Sequence, residues 1–98
     1  MAFVQIIEFH TDDIDPIRKA GEEYEAKMAD AGLVRRRVIT QDRNDPSRFL
    51  LMAFFDSYES AMENSGRPET NEIAEKMASL VDGPPTFHDL DIIEDVTT

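Results

Sequence analysis

The sequence contains no cysteine and no tryptophan, and acidic residues outnumber basic ones by about two to one. Without cysteine the chain has no disulfide, no thiolate metal site and no cysteine nucleophile. Its 10 lysines and arginines against 21 aspartates and glutamates give a net charge of −11, which argues against nucleic acids and anionic membranes as partners. The four glycines are scattered and form no phosphate-binding loop. Hydrophobic residues still make up 41% of the chain, too many for a disordered acidic tail.

The length of 98 residues indicates a single domain over 1–98 with one modest core. The first residues lack the basic and long apolar segments of a secretory signal. No apolar run approaches the roughly 20 residues that cross a bilayer. We therefore expect an acidic, cytoplasmic protein.

The pattern of helices and strands predicts an α+β fold, in the ferredoxin-like order β-α-β-β-α-β with an antiparallel four-stranded sheet. Asp15 is expected to cap the first helix, and Ser57 and Thr70 to cap two segments of the second, which Gly66 interrupts. The predicted strands are 2–10, 33–41, 49–55 and 86–96, and the first helix ends at Gly32 after an apolar stripe of Ile14, Ile17, Gly21, Tyr24, Met28 and Ala31.

Both faces of the predicted sheet are apolar, although two helices cover only one face. Leaving four or five large side chains in water forfeits several kcal/mol at about 25 cal/mol per Å². A second copy of the chain is the simplest cover, so we expect a homodimer that forms a dimeric α/β barrel. A monomer with extra surface aromatics is the alternative. In the first strand Val4 and Ile6 point to one face and Phe3, Ile7 and Phe9 to the other. In the third strand Leu50, Met52 and Phe54 point to one face and Phe49, Leu51, Ala53 and Phe55 to the other.

The only basic stretch, residues 31–50, holds five arginines and two aspartates. If the aliphatic sides of the strands pack on the helices, Arg35 and Arg37 share a sheet face with Asp89 and Asp91. We expect these four residues to pair across the dimer seam and to fix its register. A solvated edge strand that resists aggregation explains the arginines equally well.

The face that carries the aromatic residues is the candidate ligand pocket. We place this pocket between the facing sheets with the second helix at its mouth, or between sheet and helices. An apolar, aromatic lining with a few polar groups suits a planar hydrophobic small molecule, and a barrel filled by side chains is the alternative. The predicted lining is Gln5, Ile7, Phe9, Leu51, Phe55 and Asn64, together with Phe3 and Ala53.

A metal site is the weaker interpretation of the two histidines. His10 and His88 lie on neighbouring strands near Glu8, which is the composition of a site with two histidines and one carboxylate. We nevertheless predict no metal, because both histidines are expected on the side that packs against helices. There a histidine more often makes a structural hydrogen bond.

The run Phe54-Phe55-Asp-Ser57-Tyr58-Glu-Ser-Ala-Met, followed by Asn64 and Pro68-Glu-Thr, resembles the antibiotic biosynthesis monooxygenase-like proteins. These belong to the dimeric α/β-barrel superfamily. The resemblance implies a homodimer with a cavity in each subunit. It also implies that no cofactor is needed, because some members oxygenate phenols or quinols without metal or flavin. Other members degrade haem.

This sequence departs from the family at three positions. Phe55 stands where oxygenating members often carry Trp, Asn64 where many carry His, and Ile7 where haem-degrading members use Asn. Haem degradation is therefore not expected.

For oxygenation, Gln5, Asn64 and either Arg35 or Arg37 would bind the substrate oxyanion, with Asp89 as the candidate base. Two functions stay open. One is a cofactor-independent, monooxygenase-like enzyme, and the other is a non-catalytic binding or structural dimer.

Overall fold

The computed structural model describes residues 1–29 and 32–98 as a four-stranded antiparallel sheet with three helices on one side. The strand order is β2-β3-β1-β4, so β2 and β4 are the edges. The predicted ferredoxin-like fold is confirmed, with the second helical region divided in two. The elements are β1 (Phe3–His10), α1 (Asp15–Met28), β2 (Arg36–Gln41), β3 (Arg48–Phe55), α2 (Tyr58–Ser65), α3 (Pro68–Leu80) and β4 (Thr86–Asp91).

The helix caps agree with the sequence at one position of three. The Ser57 hydroxyl accepts a hydrogen bond from the Ser60 amide at 3.1 Å, as an N-cap does. Asp15 is not a cap but the first residue of α1, and its amide donates to Asp13 Oδ1 at 3.0 Å. Thr70 is not a cap either, because α3 begins earlier, at Pro68.

Several predicted element ends are also wrong. β2 begins at Arg36 rather than at residue 33, and β4 ends at Asp91 rather than at residue 96. Local propensity does not fix these ends, because a strand extends only as far as its neighbour offers hydrogen-bond partners. The predicted helical residue Ala31 lies outside the described residues. α1 ends at Met28 rather than at Gly32, which has a φ of +59°, the left-handed conformation that glycine favours.

The aromatic side of the sheet, not the aliphatic side, packs on the helices. Phe9 and Phe49 stack with their ring centres 5.8 Å apart and form a core with Ile17 of α1. At the other end, Phe3 and Phe55 pack on α2. The assignment of the aliphatic sides to the helices is therefore wrong.

The reason lies in charge and ring size. The aliphatic side of β1 and β3 also carries Glu8, His10 and Arg48, which would lose their hydration under a helix. Phenylalanine rings, by contrast, remove more apolar area from water than any aliphatic side chain of these strands.

An apolar surface therefore remains on the outer face of the sheet. At its centre Val4 pairs with Phe54, and Ile6 pairs with Met52. The Arg36 guanidinium lies over the Phe54 ring at 5.5 Å. Glu8 and Arg48 lie at one end of this face, and Arg36 lies at the other.

In the described ranges, 1–29 and 32–98, none of the helices is long and apolar enough to cross a membrane.

Candidate functional site

A cavity of about 450 Å³ lies between the sheet and helices α1 and α3. Small residues from three elements line it, with Gly21 on α1, Ala53 on β3 and Ala74 on α3. Its volume falls within the range of about 300–1,000 Å³ that is typical of small-molecule sites. The placement of the pocket between facing sheets is wrong, because the side chains named for it point toward the helices.

Most of the cavity wall is apolar. On the sheet it is formed by Ile7, Leu51 and Phe55, and on the helices by methionine, isoleucine and alanine side chains. Phe87 of β4 also lines the cavity and is 56% exposed, so an aromatic ring stands at its edge. Such a wall favours a flat, hydrophobic ligand.

Three hydrogen-bonded side chains from three helices form the polar part of the wall. The Tyr24 hydroxyl donates to Asn64 Oδ1 at 3.1 Å and lies 2.8 Å from Thr70 Oγ1. A phenol has one proton to donate, so the Thr70 hydroxyl donates to the Tyr24 oxygen. We call these residues the Tyr24–Asn64–Thr70 cluster.

Asn64 keeps its second polar atom available. Its side chain is 6% exposed, and its Nδ2 has no hydrogen-bond partner in the described part of the chain. Because Oδ1 accepts from Tyr24, the amide is oriented and its N–H donors remain available to a ligand oxygen. A preorganised donor beside an apolar cavity can stabilise a negative charge on that oxygen.

Gln5 of β1 lines the cavity, but its side-chain amide donates a hydrogen bond to a residue of the neighbouring strand. Its Nε2 donates to Asp89 Oδ1 at 3.2 Å. Asp89 is exposed on β4 and does not line the cavity. Asp91, opposite Phe3 at the end of the same strand, does not line it either. The structure therefore does not bring the candidate base Asp89 to the cavity.

Arg35 and Arg37 both line the cavity and have acidic partners within the chain. Arg35 donates to Asp56 Oδ2 through Nε at 3.0 Å and through Nη2 at 2.8 Å. These bonds lower the pKa of Asp56 from its ordinary value. Arg37 Nε lies 3.1 Å from Glu25 Oε1. The pairing of these arginines with Asp89 and Asp91 across a dimer seam stays a prediction.

Five of the six residues predicted for the pocket line the cavity: Gln5, Ile7, Leu51, Phe55 and Asn64. Phe9 is instead part of the core with Phe49 and borders a separate cavity of about 40 Å³. The sequence did not point to Tyr24 and Thr70 as site residues. A tyrosine on an apolar helix stripe is a signal, since its hydroxyl needs a partner when the ring is buried.

The histidines lie on the outer face, away from the cavity, and were wrongly expected under the helices. His88 Nε2 is 3.6 Å from Glu8, and His10 Nε2 is 3.7 Å from Asp45. Arg48 donates to Glu8 Oε2 at 3.2 Å, which lowers the pKa of the Glu8 carboxyl. Among residues 1–29 and 32–98, no group of three or more histidine and acidic side chains is placed to hold a metal ion.

Comparison with known proteins supports the fold. No protein-family model matches the sequence, and no curated protein sequence matches it. Solved structures do match.

SnoaB, a cofactor-independent oxygenase from Streptomyces nogalater, superposes with a TM-score of 0.80 at 9% identity, over 99% of this chain and 98% of its own. Rv0793 from Mycobacterium tuberculosis gives a TM-score of 0.76 at 13% identity, over 99% and 100%.

A protein from Nitrosomonas europaea that is provisionally described as an antibiotic biosynthesis monooxygenase gives a TM-score of 0.75 at 16% identity, over 94% of this chain and 90% of its own. The chain thus has the ferredoxin-like fold of the antibiotic biosynthesis monooxygenases. The resemblance seen in the sequence is confirmed at the level of the fold.

Proposed function

We propose that the protein binds a small, hydrophobic, aromatic molecule in the cavity between the sheet and helices α1 and α3. The observation that carries this proposal is the cavity of about 450 Å³, which is apolar along most of its wall and polar at the Tyr24–Asn64–Thr70 cluster. The rings of the ligand lie along Leu51 and Phe55. An oxygen substituent accepts a hydrogen bond from Asn64 Nδ2.

The reaction proposed for this site is cofactor-independent oxygenation, the activity that is stated for the structural neighbour SnoaB. An ionised phenol or enol is electron-rich enough to react with O₂ itself. O₂ adds to the ring carbon that bears two hydrogens in the keto tautomer and one in the anion; one oxygen atom stays as a carbonyl, and the other leaves as water with those two hydrogens. The protein supplies orientation, a dry site and the Asn64 donor for the oxyanion.

A non-catalytic binding protein is the second candidate. The observation that favours it is the lack of a free base in the cavity. Among the described lining residues, Glu25 is the one carboxylate, and its Oε1 is 3.1 Å from Arg37 Nε. Catalysis without a base requires a substrate that is already acidic enough to ionise on binding.

The second part of the proposal is that the chain works as a homodimer. The outer sheet face presents the half-buried side chains of Ile6, Met52 and Phe54 around the buried Val4, with the 44%-exposed Leu90 beside them. A face of this kind in water marks an interaction surface. When two copies are related by a two-fold axis, the outer face of each copy covers that of the other, and the assembly is complete as a dimer.

Anthrone, a tricyclic ketone with an ionisable tautomer, tests the site and the reaction together. Its binding is measured by calorimetry, and its conversion to anthraquinone by absorbance and oxygen uptake. We expect binding and turnover, and we expect the near-isosteric Asn64→Leu to lose turnover by about tenfold or more, because it removes an oxyanion donor. Binding without oxygen uptake would select the non-catalytic function, and absence of binding by anthrone and by other neutral aromatics would refute the cavity proposal.

A further inference from the structure

Gly21 occupies an unusual position for a glycine, the buried side of a helix interior. Glycine destabilises a helix relative to alanine, so its presence there calls for a structural reason. A Cβ atom at this position would collide with Nη1 of Arg37. The bare backbone of Gly21 therefore makes room for a guanidinium group in the cavity wall.

The Arg37 guanidinium is only partly used within the chain. The side chain is 19% exposed, and its Nε is the atom that approaches Glu25. Its Nη1 and Nη2 make no hydrogen bond within residues 1–29 and 32–98, and Nη1 lies against the bare backbone of Gly21. A guanidinium stays charged at every physiological pH and presents its donors as a flat fork that matches an oxyanion.

The neighbouring arginines do not offer the same donors. Two nitrogens of the Arg35 guanidinium donate hydrogen bonds to Asp56. Arg36 belongs to the opposite sheet face, where its guanidinium lies over the Phe54 ring at 5.5 Å. Arg37 is thus the lining arginine whose terminal nitrogens border the cavity and remain available.

The local charge also differs from that of the whole chain. The net charge is −11, yet the cavity wall contains the guanidinium groups of Arg35 and Arg37 and, among the described lining residues, one carboxylate, that of Glu25. The Arg37 side chain is 19% exposed, and a charge shielded in this way attracts an anion more strongly than the same charge does on an open surface.

We propose that the cavity selects an aromatic molecule that carries one anionic oxygen group, and that Arg37, held in place by Gly21, recognises that group. This inference rests on the proposed function, because it assigns a charge class to the ligand of the same cavity. Gly21 and Tyr24 are three residues apart on α1, so the guanidinium and the Tyr24–Asn64–Thr70 cluster line neighbouring parts of the wall. A carboxylate and an ionised phenol both meet this description.

Two fluorescent probes with the same ring skeleton separate charge from hydrophobicity. N-phenyl-1-naphthylamine is neutral, and 8-anilinonaphthalene-1-sulfonate is the same molecule with a sulfonate added. We expect the sulfonate to bind the wild-type protein more tightly by about tenfold to a hundredfold, the contribution of hydrogen bonds to a charged group.

Three variants assign the effect to Arg37. Arg37→Gln and Gly21→Ala are expected to remove most of the preference for the sulfonate, measured in each variant as the ratio of the dissociation constants of the two probes. Gly21→Ala keeps every charge and displaces only the guanidinium, and alanine is a good helix former, so the protein stays folded. Arg43→Gln, in the β2–β3 turn, makes the same charge change outside the cavity lining and is expected to keep the full preference.

The outcomes separate the two proposals. Failure of both probes to bind would refute the proposed function and this inference with it. Binding of the neutral probe with no preference for the sulfonate, or a preference that Arg37→Gln leaves intact, would overturn this inference alone. Competition by 2-naphthoate and by 2-naphthol then distinguishes a carboxylate ligand from a phenol that ionises on binding.

Discussion

The Tyr24 hydroxyl joins three helices, and its removal is the sharpest test of the polar wall of the cavity. Tyr24→Phe deletes one oxygen atom and keeps the ring, so no packing volume is lost. The change removes the 3.1 Å hydrogen bond to Asn64 Oδ1 and the 2.8 Å bond with Thr70 Oγ1. Whatever stability is lost then comes from hydrogen bonding.

The expected loss follows from those two bonds. Each net hydrogen bond contributes about 0.5–1.5 kcal/mol, which gives about 1–3 kcal/mol for the pair. Water entering the adjacent cavity of about 450 Å³ can hydrate the freed Asn64 oxygen, so the loss stays in the lower half of that range. In a chain of this size, about 1 kcal/mol lowers Tm by roughly 4–8 °C, so a loss of about 1–2 kcal/mol lowers it by roughly 4–16 °C.

Tyr58→Phe is the matched control. Tyr58 is 49% exposed, and its ring packs edge-on against Phe3 with a centre distance of 5.5 Å. Its hydroxyl has no hydrogen-bond partner in the described part of the chain, so we expect no change in Tm. Both variants are unfolded thermally and in urea at one protein concentration, because the Tm of a dimer depends on concentration.

Equal stability of the two tyrosine variants would refute the assignment of the Tyr24–Asn64–Thr70 cluster. A second check is Thr70→Val. This change should lower the free energy of unfolding less in the Tyr24→Phe background than in the wild type, because the hydrogen bond between the two residues is already absent there. Full additivity of the two changes would show that Tyr24 and Thr70 do not interact.

Two further predictions concern the outer face of the sheet. Met52→Asp places a charge at its apolar centre and is expected to convert the proposed dimer to monomers in analytical ultracentrifugation, whereas Thr97→Asp, in the exposed C-terminal tail, should leave the sedimentation coefficient unchanged. The hydrogen bond from Arg48 lowers the pKa of Glu8 below its ordinary value of 4.5, and His88 also faces this carboxylate. The ionised Glu8 therefore contributes its full stabilisation above pH 4.5, and this stabilisation is lost as the pH falls through the folded-state pKa. Glu8→Gln should flatten the dependence of unfolding free energy on pH below about pH 4.5, and an unchanged slope would contradict the ion pair.

The order of elements could be predicted because each signal is local. Ser57 caps its helix with its own side chain, and Gly66 ends it. The face of the sheet that meets the helices could not be predicted in the same way, because both faces are apolar and alternation alone does not orient them. The polar side chains of Glu8 and His10 on the aliphatic side were the signal that the outer face meets solvent or a partner.

The candidate site was predictable in part for a similar reason. Gln5, Ile7 and Leu51 share one face, so any pocket on that face includes them whichever way the face points. Tyr24 was counted as one apolar residue in a helix stripe. The position of the Arg37 guanidinium depends on how closely β2 approaches Gly21 of α1. The sequence does not specify the distance between these two elements.

The cavity stays open because the core is divided into two clusters. Phe9, Ile17 and Phe49 hold α1 and α3 on one end of the sheet, and Phe3 and Phe55 hold α2 on the other. Between them the helix-facing side of the sheet presents Gln5, Ile7, Leu51 and Ala53, which line the cavity. Rigid packing on both sides fixes the position of the wall, which is what a donor such as Asn64 needs to meet a ligand at a set distance. The same division explains why a chain of 98 residues can hold a cavity of about 450 Å³ without losing its core.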